Sequence, residues 1–288
     1  MKRIGLIILF CLFFIPANTQ AVSVSPVRTV ITVDPGESNT VSIKVANNTD
    51  AERNYELRTL SFSESEQGQV IYGYGVQEAE KWLKPRQEKI VLKVNESKTI
   101  DFLVKIPSGV PAGSYYLALA AKELGKESGN LGVGAEVASL LILQVAGEVK
   151  EELVVKEINS ERSIYFSKPW KLELSLKNLT PVEVPVKGRV YLKDPMGELV
   201  AAKDLALGRD ILARSERRIQ TVLWENASLV LPGKYRVSII IDYGKTNGQI
   251  AQEVFVWYFP IWFVVAGPIV IILLVSLTIL KKRNKKNA

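Results

Sequence analysis

The sequence predicts two tandem immunoglobulin-like β-sandwich domains followed by a single C-terminal transmembrane helix. Short stretches alternate apolar and polar residues, at 41–45, 99–104, 172–176 and 235–239, and an uncharged run occupies residues 254–280. Alternation with period two puts one face of a strand in a core and the other in water. Turn sequences separate these stretches at intervals of roughly 8 to 12 residues, which is typical of β-sandwiches. The fold class is therefore all-β with one apolar helix.

The uncharged run near the C-terminus predicts a membrane anchor. At 1.5 Å per residue, a helix of about 20 apolar residues crosses about 30 Å of hydrocarbon. Aromatic rings settle at headgroup depth, and basic residues stay in the cytoplasm. The predicted anchor residues are Trp257 and Trp262 at the outer end and Lys281, Lys282 and Arg283 at the inner end. We predict a helix over 257–280, a basic tail over 281–288 and a type I orientation. A buried core helix, the alternative, explains neither the length nor the terminal lysines.

The N-terminus has the pattern of a secretory signal peptide. Lys2 and Arg3 precede an apolar run that ends at Ile15, and small residues follow up to Ala21. We predict a signal peptide over 1–21 with cleavage after Ala21. An uncleaved anchor is the alternative, but twelve apolar residues are too few to span a membrane comfortably. Together the two ends predict a cell-membrane protein whose ectodomain is extracellular or periplasmic.

The region between signal and anchor contains an internal repeat. A strand followed by Asn-x-Thr occurs at 43–49 and again at 174–180. The segment Pro111-Ala112-Gly113-Ser114-Tyr115 corresponds to Leu231-Pro232-Gly233-Lys234-Tyr235. The length suits two immunoglobulin-like domains, over 22–146 and 147–256. Tyr115 and Tyr235 either form the tyrosine corner of such folds or are ordinary half-buried strand tyrosines.

Composition restricts the chemistry that the ectodomain can perform. Of the 37 basic residues, two lie in the signal and five in the tail, which leaves 30 against 30 acidic residues. A neutral ectodomain disfavours nucleic acid as a partner. The chain has no histidine, and its one cysteine, Cys11, lies in the signal. These absences remove Ser-His-Asp triads, thiolate nucleophiles and the common zinc ligand sets. We therefore predict a protein that is not an enzyme and has no cofactor and no metal. An enzyme that uses a Ser-Lys pair or a pair of carboxylates is the alternative.

A family resemblance rests on turn chemistry in the first domain. Its motifs are Val24-Ser25-Pro26, Asp34-Pro35-Gly36-Glu37-Ser38, Asn47-Asn48-Thr49-Asp50, Ile106-Pro107 and Pro111-Ala112-Gly113. These segments resemble the first domain of bacterial WxL-interacting surface proteins. More distantly, they are similar to the N-terminal domain of pilus chaperones. The resemblance to the former implies that the first domain binds peptidoglycan and the second engages host or partner proteins.

Two segments of the first domain are candidate binding surfaces. The segment 63–85 contains Tyr72, Tyr74 and Trp82, and exposed aromatic side chains are good contact anchors. Core packing under a long loop is the alternative for these rings. The segment 125–134 contains Gly129 and Gly132 and forms either a binding loop or an inert hairpin.

The sequence therefore predicts a membrane-anchored bacterial surface protein that binds cell-wall peptidoglycan or another exported protein, as a scaffold or adhesin. The alternative is a chaperone-like assembly factor that offers a sheet edge to exported clients.

Overall fold

The computed structural model describes residues 21–124, 135–223 and 231–284. They form two compact units. The first unit comprises the described residues up to Phe62, with Tyr72–Pro111 and Tyr115–Ala146, and the second comprises Ser63–Ile71, Ala112–Ser114 and the described residues from Gly147 onward. The predicted signal peptide, residues 1–21, lies almost entirely outside the described residues. The domain limits set from sequence stay predictions.

The first unit is built around two sheets. Its strands are β1 (Val22–Ser25), β2 (Arg28–Val33), β3 (Ser38–Asn47), β4 (Arg53–Glu64), β5 (Val70–Tyr72), β6 (Leu83–Pro85), β7 (Lys89–Leu92), β8 (Ser97–Lys105), β9 (Gly113–Glu123) and β10 (Glu136–Val145). One sheet has the order β1-β3-β8-β6, and the other has the order β2-β10-β9-β4-β5, with β7 also paired to β4. A 3₁₀ helix, Gln77–Trp82, precedes β6. The last two residues of β4 and the first two residues of β5 and of β9 are assigned to the second unit.

Alternation explains how these strands make a core. In β3, Val41, Ile43 and Val45 are buried while the residues between them are exposed or half-buried. The same pattern in β8 buries Ile100, Phe102 and Val104, and β3 pairs antiparallel with β8. Both alternating stretches were predicted as strands with one buried face.

The second unit also has two sheets, in the orders β11-β13-β16 and β12-β18-β17-β14-β15. Its strands are β11 (Leu153–Ser160), β12 (Ile164–Tyr165), β13 (Trp170–Asn178), β14 (Val186–Lys193), β15 (Leu199–Leu205), β16 (Glu216–Leu223), β17 (Gly233–Tyr243) and β18 (Gly248–Tyr258). The unit has its own buried apolar core, which includes Leu172, Leu174, Val237 and Ile239. This arrangement confirms the predicted fold class.

An aromatic cluster closes one end of the second unit's core. The buried ring of Trp170 lies 5.3 Å from that of Tyr165, 5.5 Å from Tyr235 and 5.7 Å from Tyr258, centroid to centroid. Tyr235 is one of the two predicted corner tyrosines, and its hydroxyl donates to the carbonyl of Leu231 at 2.8 Å. Tyr115 donates to the carbonyl of Pro111 at 3.0 Å in the same way. A hydroxyl bonded to backbone four residues upstream is typical of the tyrosine corner, so the hydrogen bonds favour that alternative at both positions.

The last described element is an apolar helix, α1 (Ile261–Asn284). Within it, Ile261–Ile279 is long and apolar enough to cross a membrane, and none of this stretch is buried inside the protein. The structure keeps Trp257 in β18, whereas the sequence predicts a helix from residue 257. The reason is that β18 stays paired with β17 as far as Tyr258. Pro260, which has no N–H to offer a ladder, then precedes the helix, and its carbonyl accepts the N–H of Val264 at 3.3 Å.

Candidate functional site

The candidate site is the outer edge of β10 in the first unit. β10 lies between β9 and β2. Its parallel pairing with β2 covers Leu140–Val145 only. Upstream of β2 the chain crosses to the other sheet, where β1 pairs with β3. Among the described residues, β2 therefore leaves the outer edge of Glu136–Ser139 without a strand partner.

The direction of the N–H groups along β10 follows from the first hydrogen bond between β10 and the segment that leads into β2. The N–H of Leu140 donates to the carbonyl of Val27 at 2.9 Å, so it points outward to the β2 side. Successive N–H groups along a strand alternate between its two edges. The N–H of Ala138 therefore points to the same outer edge, two residues upstream of the point where pairing with β2 begins.

Apolar and polar side chains line this edge. Val137, on the inward face of β10, packs against the first unit's core. Ser139 is buried and its hydroxyl donates to the carbonyl of Pro26 at 2.6 Å. This bond fixes the segment between β1 and β2 beside β10. Val27, the residue before β2, is 71% exposed.

An ion pair stabilises the upstream end of the edge. Arg58 of β4 reaches across β9 and binds Glu136 through two bonds, Nε to Oε1 at 2.9 Å and Nη2 to Oε2 at 2.6 Å. The hydrogen bond to Glu136 raises the pKa of Arg58 above its ordinary value. A bidentate pair orients both side chains. The opposite charges of Arg58 and Glu136 also cancel, so this pair adds no net charge beside the open edge.

The structure separates the three predicted contact aromatics. Tyr72 is 47% exposed and Tyr74 is 76% exposed. Trp82 instead packs against the first unit's core, with its ring 4.8 Å from that of Tyr115 in an edge-to-face geometry. The 3₁₀ helix that ends at Trp82 turns this ring inward.

Two glycines hold Tyr74 in its exposed position. The N–H of Gly73 donates to the carbonyl of Ser61 at 2.7 Å, and its φ of +79° suits glycine. A Cβ on Gly75 would lie 2.6 Å from the carbonyl oxygen of Phe62, so only glycine permits this approach to β4. The segment is therefore fixed against β4 on both sides of Tyr74, which points away.

The remaining predicted residues fall into three groups. Gly129 and Gly132 lie outside the described residues. Trp257 is 44% exposed at the end of β18, and Trp262 is 57% exposed in the first turn of α1. Lys281, Lys282 and Arg283 lie in the last described turn of α1. In the described ranges, no three His, Cys, Asp or Glu side chains are grouped to hold a metal ion.

The open edge was not predicted from the sequence. Pairing between β2 and β10 joins residues more than a hundred positions apart, and alternation within a strand does not specify such a partner.

Comparison with known proteins gives matches among solved structures only. No protein-family model and no curated protein matches the sequence. A chaperone–tip adhesin complex of CFA/I fimbriae is 13% identical, with 83% of this chain and 99% of that chain covered and a TM-score of 0.44. The class 5 fimbrial chaperone CfaA is 13% identical, covers 83% of this chain and 100% of its own, and has a TM-score of 0.43. The E. coli chaperone DraB is 16% identical, with 82% and 98% covered and a TM-score of 0.40.

These similar structures are pilus chaperones, the more distant of the two resemblances noted in the sequence. The resemblance to WxL-interacting proteins gains no support from the comparisons. At these identities and TM-scores, the likeness assigns neither activity nor partner to this chain.

Proposed function

We propose that this chain is a membrane-anchored, non-enzymatic protein that binds exported proteins by adding a client strand to the open edge of β10. The observation that carries this proposal is the unpaired outer edge of Glu136–Ser139. Strand addition takes its affinity from main-chain hydrogen bonds and its specificity from alternate side chains. The α1 helix would keep the protein at the membrane across which its clients are exported.

An open edge is a hazard unless it is used or protected. Proteins usually protect edges with charge, proline or a covering segment, because exposed N–H and C=O groups pair readily with other chains. Here Glu136 is neutralised by Arg58, and the next two residues, Val137 and Ala138, carry no charge. The edge has the chemistry of a surface that accepts a strand.

The proposal is tested with a photo-crosslinking amino acid placed at Ala138 in the full-length protein, in cells that export their native proteins. The matched control is Lys44, an exposed residue of β3 whose strand is paired on both sides, with Ser25 and with Thr99. We expect crosslinks to exported proteins at position 138 and none at position 44. Equal crosslinking at both positions would contradict strand addition.

A pair of substitutions separates the backbone from the side chain. Ala138→Pro removes the outward N–H, and edge strands tolerate proline because that N–H has no ladder partner. Ala138→Val retains the N–H and adds side-chain volume. We expect client capture to fall several-fold with proline and to persist with valine, at similar melting temperatures. Undiminished capture by the folded Ala138→Pro protein would refute the edge as the client site.

Exposed tyrosines favour a second candidate, a scaffold or adhesin that binds peptidoglycan. Tyr72 and Tyr74 present rings that can pack on sugars or on proteins. The test is cosedimentation of the full-length protein in detergent with purified cell-wall sacculi. Loss of cosedimentation in Tyr72→Ala/Tyr74→Ala, with crosslinking at Ala138 unchanged, would support this candidate. No cosedimentation of the unaltered protein would exclude it.

A further inference from the structure

Exposed apolar side chains of the second unit gather at the end from which α1 leaves. Outside α1, large exposed side chains at this end are Ile164, Phe166, Met196, Leu231, Phe255 and Trp257. Met196 is 78% exposed and Phe166 is 50% exposed. A patch of this kind on a water-facing surface marks a contact with protein or membrane.

Strand register places these residues beside the start of the helix. Ile164 of β12 pairs with Trp257 of β18, four residues before Ile261, and adjacent strands lie about 4.8 Å apart. Pro195 lies against Gly233, since a Cβ on Gly233 would be 2.8 Å from Cγ of Pro195, and Gly233 pairs with Tyr258. The turn that carries Met196, the next residue, is therefore also at this end.

Strand alternation places the rings of Phe255 and Trp257 on the outer face of the sheet. Val256 and Tyr258 are buried, so alternation along β18 directs Phe255 and Trp257 to the opposite face. The Trp257 ring is stacked near that of Phe259, at 5.9 Å between centroids, and Phe259 is stacked near Phe263 in the first turn of α1. An unbroken aromatic stack therefore runs from the sheet into the helix.

Two cations lie next to the apolar patch. Lys234 Nζ lies 4.1 Å from the centroid of the Phe255 ring, and Arg236 Cζ lies 5.7 Å from it. Aromatic rings with basic residues beside them are the composition of surfaces that enter the headgroup layer of a membrane.

We propose that this end of the second unit is a lipid-contacting surface, with Phe166, Met196 and Trp257 inserted in the headgroup layer and Lys234 facing anionic lipid phosphates. The occupant is the membrane that α1 enters, because the patch is continuous with the helix through the aromatic stack. The inference rests on the membrane anchoring proposed above. It adds a second attachment, which would hold the second unit against the bilayer instead of leaving it on a free tether.

The test uses depth-dependent fluorescence quenching in the full-length protein. A Cys11→Ser background removes the single native cysteine. Phe166→Cys and Met196→Cys are then labelled separately with bimane in nanodiscs of equal parts phosphatidylcholine and phosphatidylglycerol. Leu179→Cys is the matched control, since Leu179 is 45% exposed and follows β13 at the end opposite to Trp170. Ile272→Cys, in the middle of α1, reports anchoring.

We expect brominated lipid to quench labels at 166, 196 and 272 and to leave the label at 179 unchanged. Quenching at 272 without quenching at 166 and 196 would overturn the lipid surface while anchoring stands. No quenching at any of the four positions would overturn both. Protection of labels 166 and 196 from aqueous iodide without quenching by brominated lipid would mean that protein covers the surface, which also refutes the proposal.

Discussion

Asn178 of the second unit reproduces the hydrogen bonds of Asn47 in the first. The Nδ2 group of Asn47 donates to the carbonyls of Ala51, Leu92 and Lys93, and that of Asn178 donates to the carbonyls of Val182, Ile211 and Leu212. In each case the threonine two residues later donates to Oδ1 through both its N–H and its hydroxyl. Both asparagines are fully buried. The Asn-x-Thr repeat seen in the sequence is therefore a structural device that joins three segments of each unit.

This network predicts a large cost for Asn178→Asp. The substitution replaces an amide donor with a carboxylate that faces three carbonyl oxygens in a buried site. We expect it to lower the free energy of unfolding by about 3 kcal/mol. Asn48→Asp is the control, because Asn48 is exposed and its amide bonds only to the Ser23 hydroxyl among the described residues. Thermal melting of full-length protein in detergent measures both, and equal melting temperatures would contradict the role of Asn178.

The two tyrosine corners predict unequal effects of the same change. Tyr235 is 1% exposed, and burial raises the pKa of its hydroxyl, which stays protonated and donates to Leu231 at neutral pH. Tyr235→Phe leaves that carbonyl without its donor and should cost about 1 to 2 kcal/mol. Tyr115→Phe should cost less, because water reaches its exposed bond to Pro111. A larger loss of melting temperature at Tyr115 would contradict this account.

Local patterns predicted much of the fold, whereas the candidate site depends on long-range pairing. Alternation identified strands such as 41–45 and 235–239, and the repeated corner sequence located Tyr115 and Tyr235. Trp82 could not be assigned to core or surface, because this depends on the turn that the 3₁₀ helix makes. The open edge of β10 depends on the residue at which β2 begins to pair. Sequence alternation is the same for a paired and an unpaired strand, so the edge was not predictable.

The orientation of α1 gives a topology prediction. A type I arrangement places the ectodomain outside and the basic residues after α1 in the cytoplasm. Protease added to intact cells or spheroplasts should degrade the ectodomain and spare a tag placed after Ala288. A degraded tag together with a surviving ectodomain would reverse the topology.

An ion pair in the second unit predicts a dependence of stability on pH. Glu216 accepts bonds from Lys156 Nζ and from the Ser175 hydroxyl, each at 2.7 Å, and the Lys156 bond is the main cause of its lowered pKa. A carboxylate with a lowered folded-state pKa stabilises the fold above its unfolded pKa, and this contribution is lost as pH falls through the folded value. Glu216→Gln should therefore lower the melting temperature at neutral pH and approach the unaltered protein in acid. The exposed Glu198→Gln is the control, and a parallel offset at every pH would argue against this linkage.

The last prediction separates scaffold from surface among the three aromatics of residues 72–82. Trp82 packs on the first unit's core against the Tyr115 ring, so Trp82→Ala opens a cavity and should cost about 2 to 4 kcal/mol. Tyr72→Ala and Tyr74→Ala remove exposed rings and should change stability by less than about 0.5 kcal/mol. The measurement is urea unfolding of each full-length variant, with hydrogen exchange of first-unit amides as the readout. It distinguishes the three variants. If Tyr74→Ala destabilised the first unit as much as Trp82→Ala, its ring would be part of the scaffold and could not be a free contact anchor.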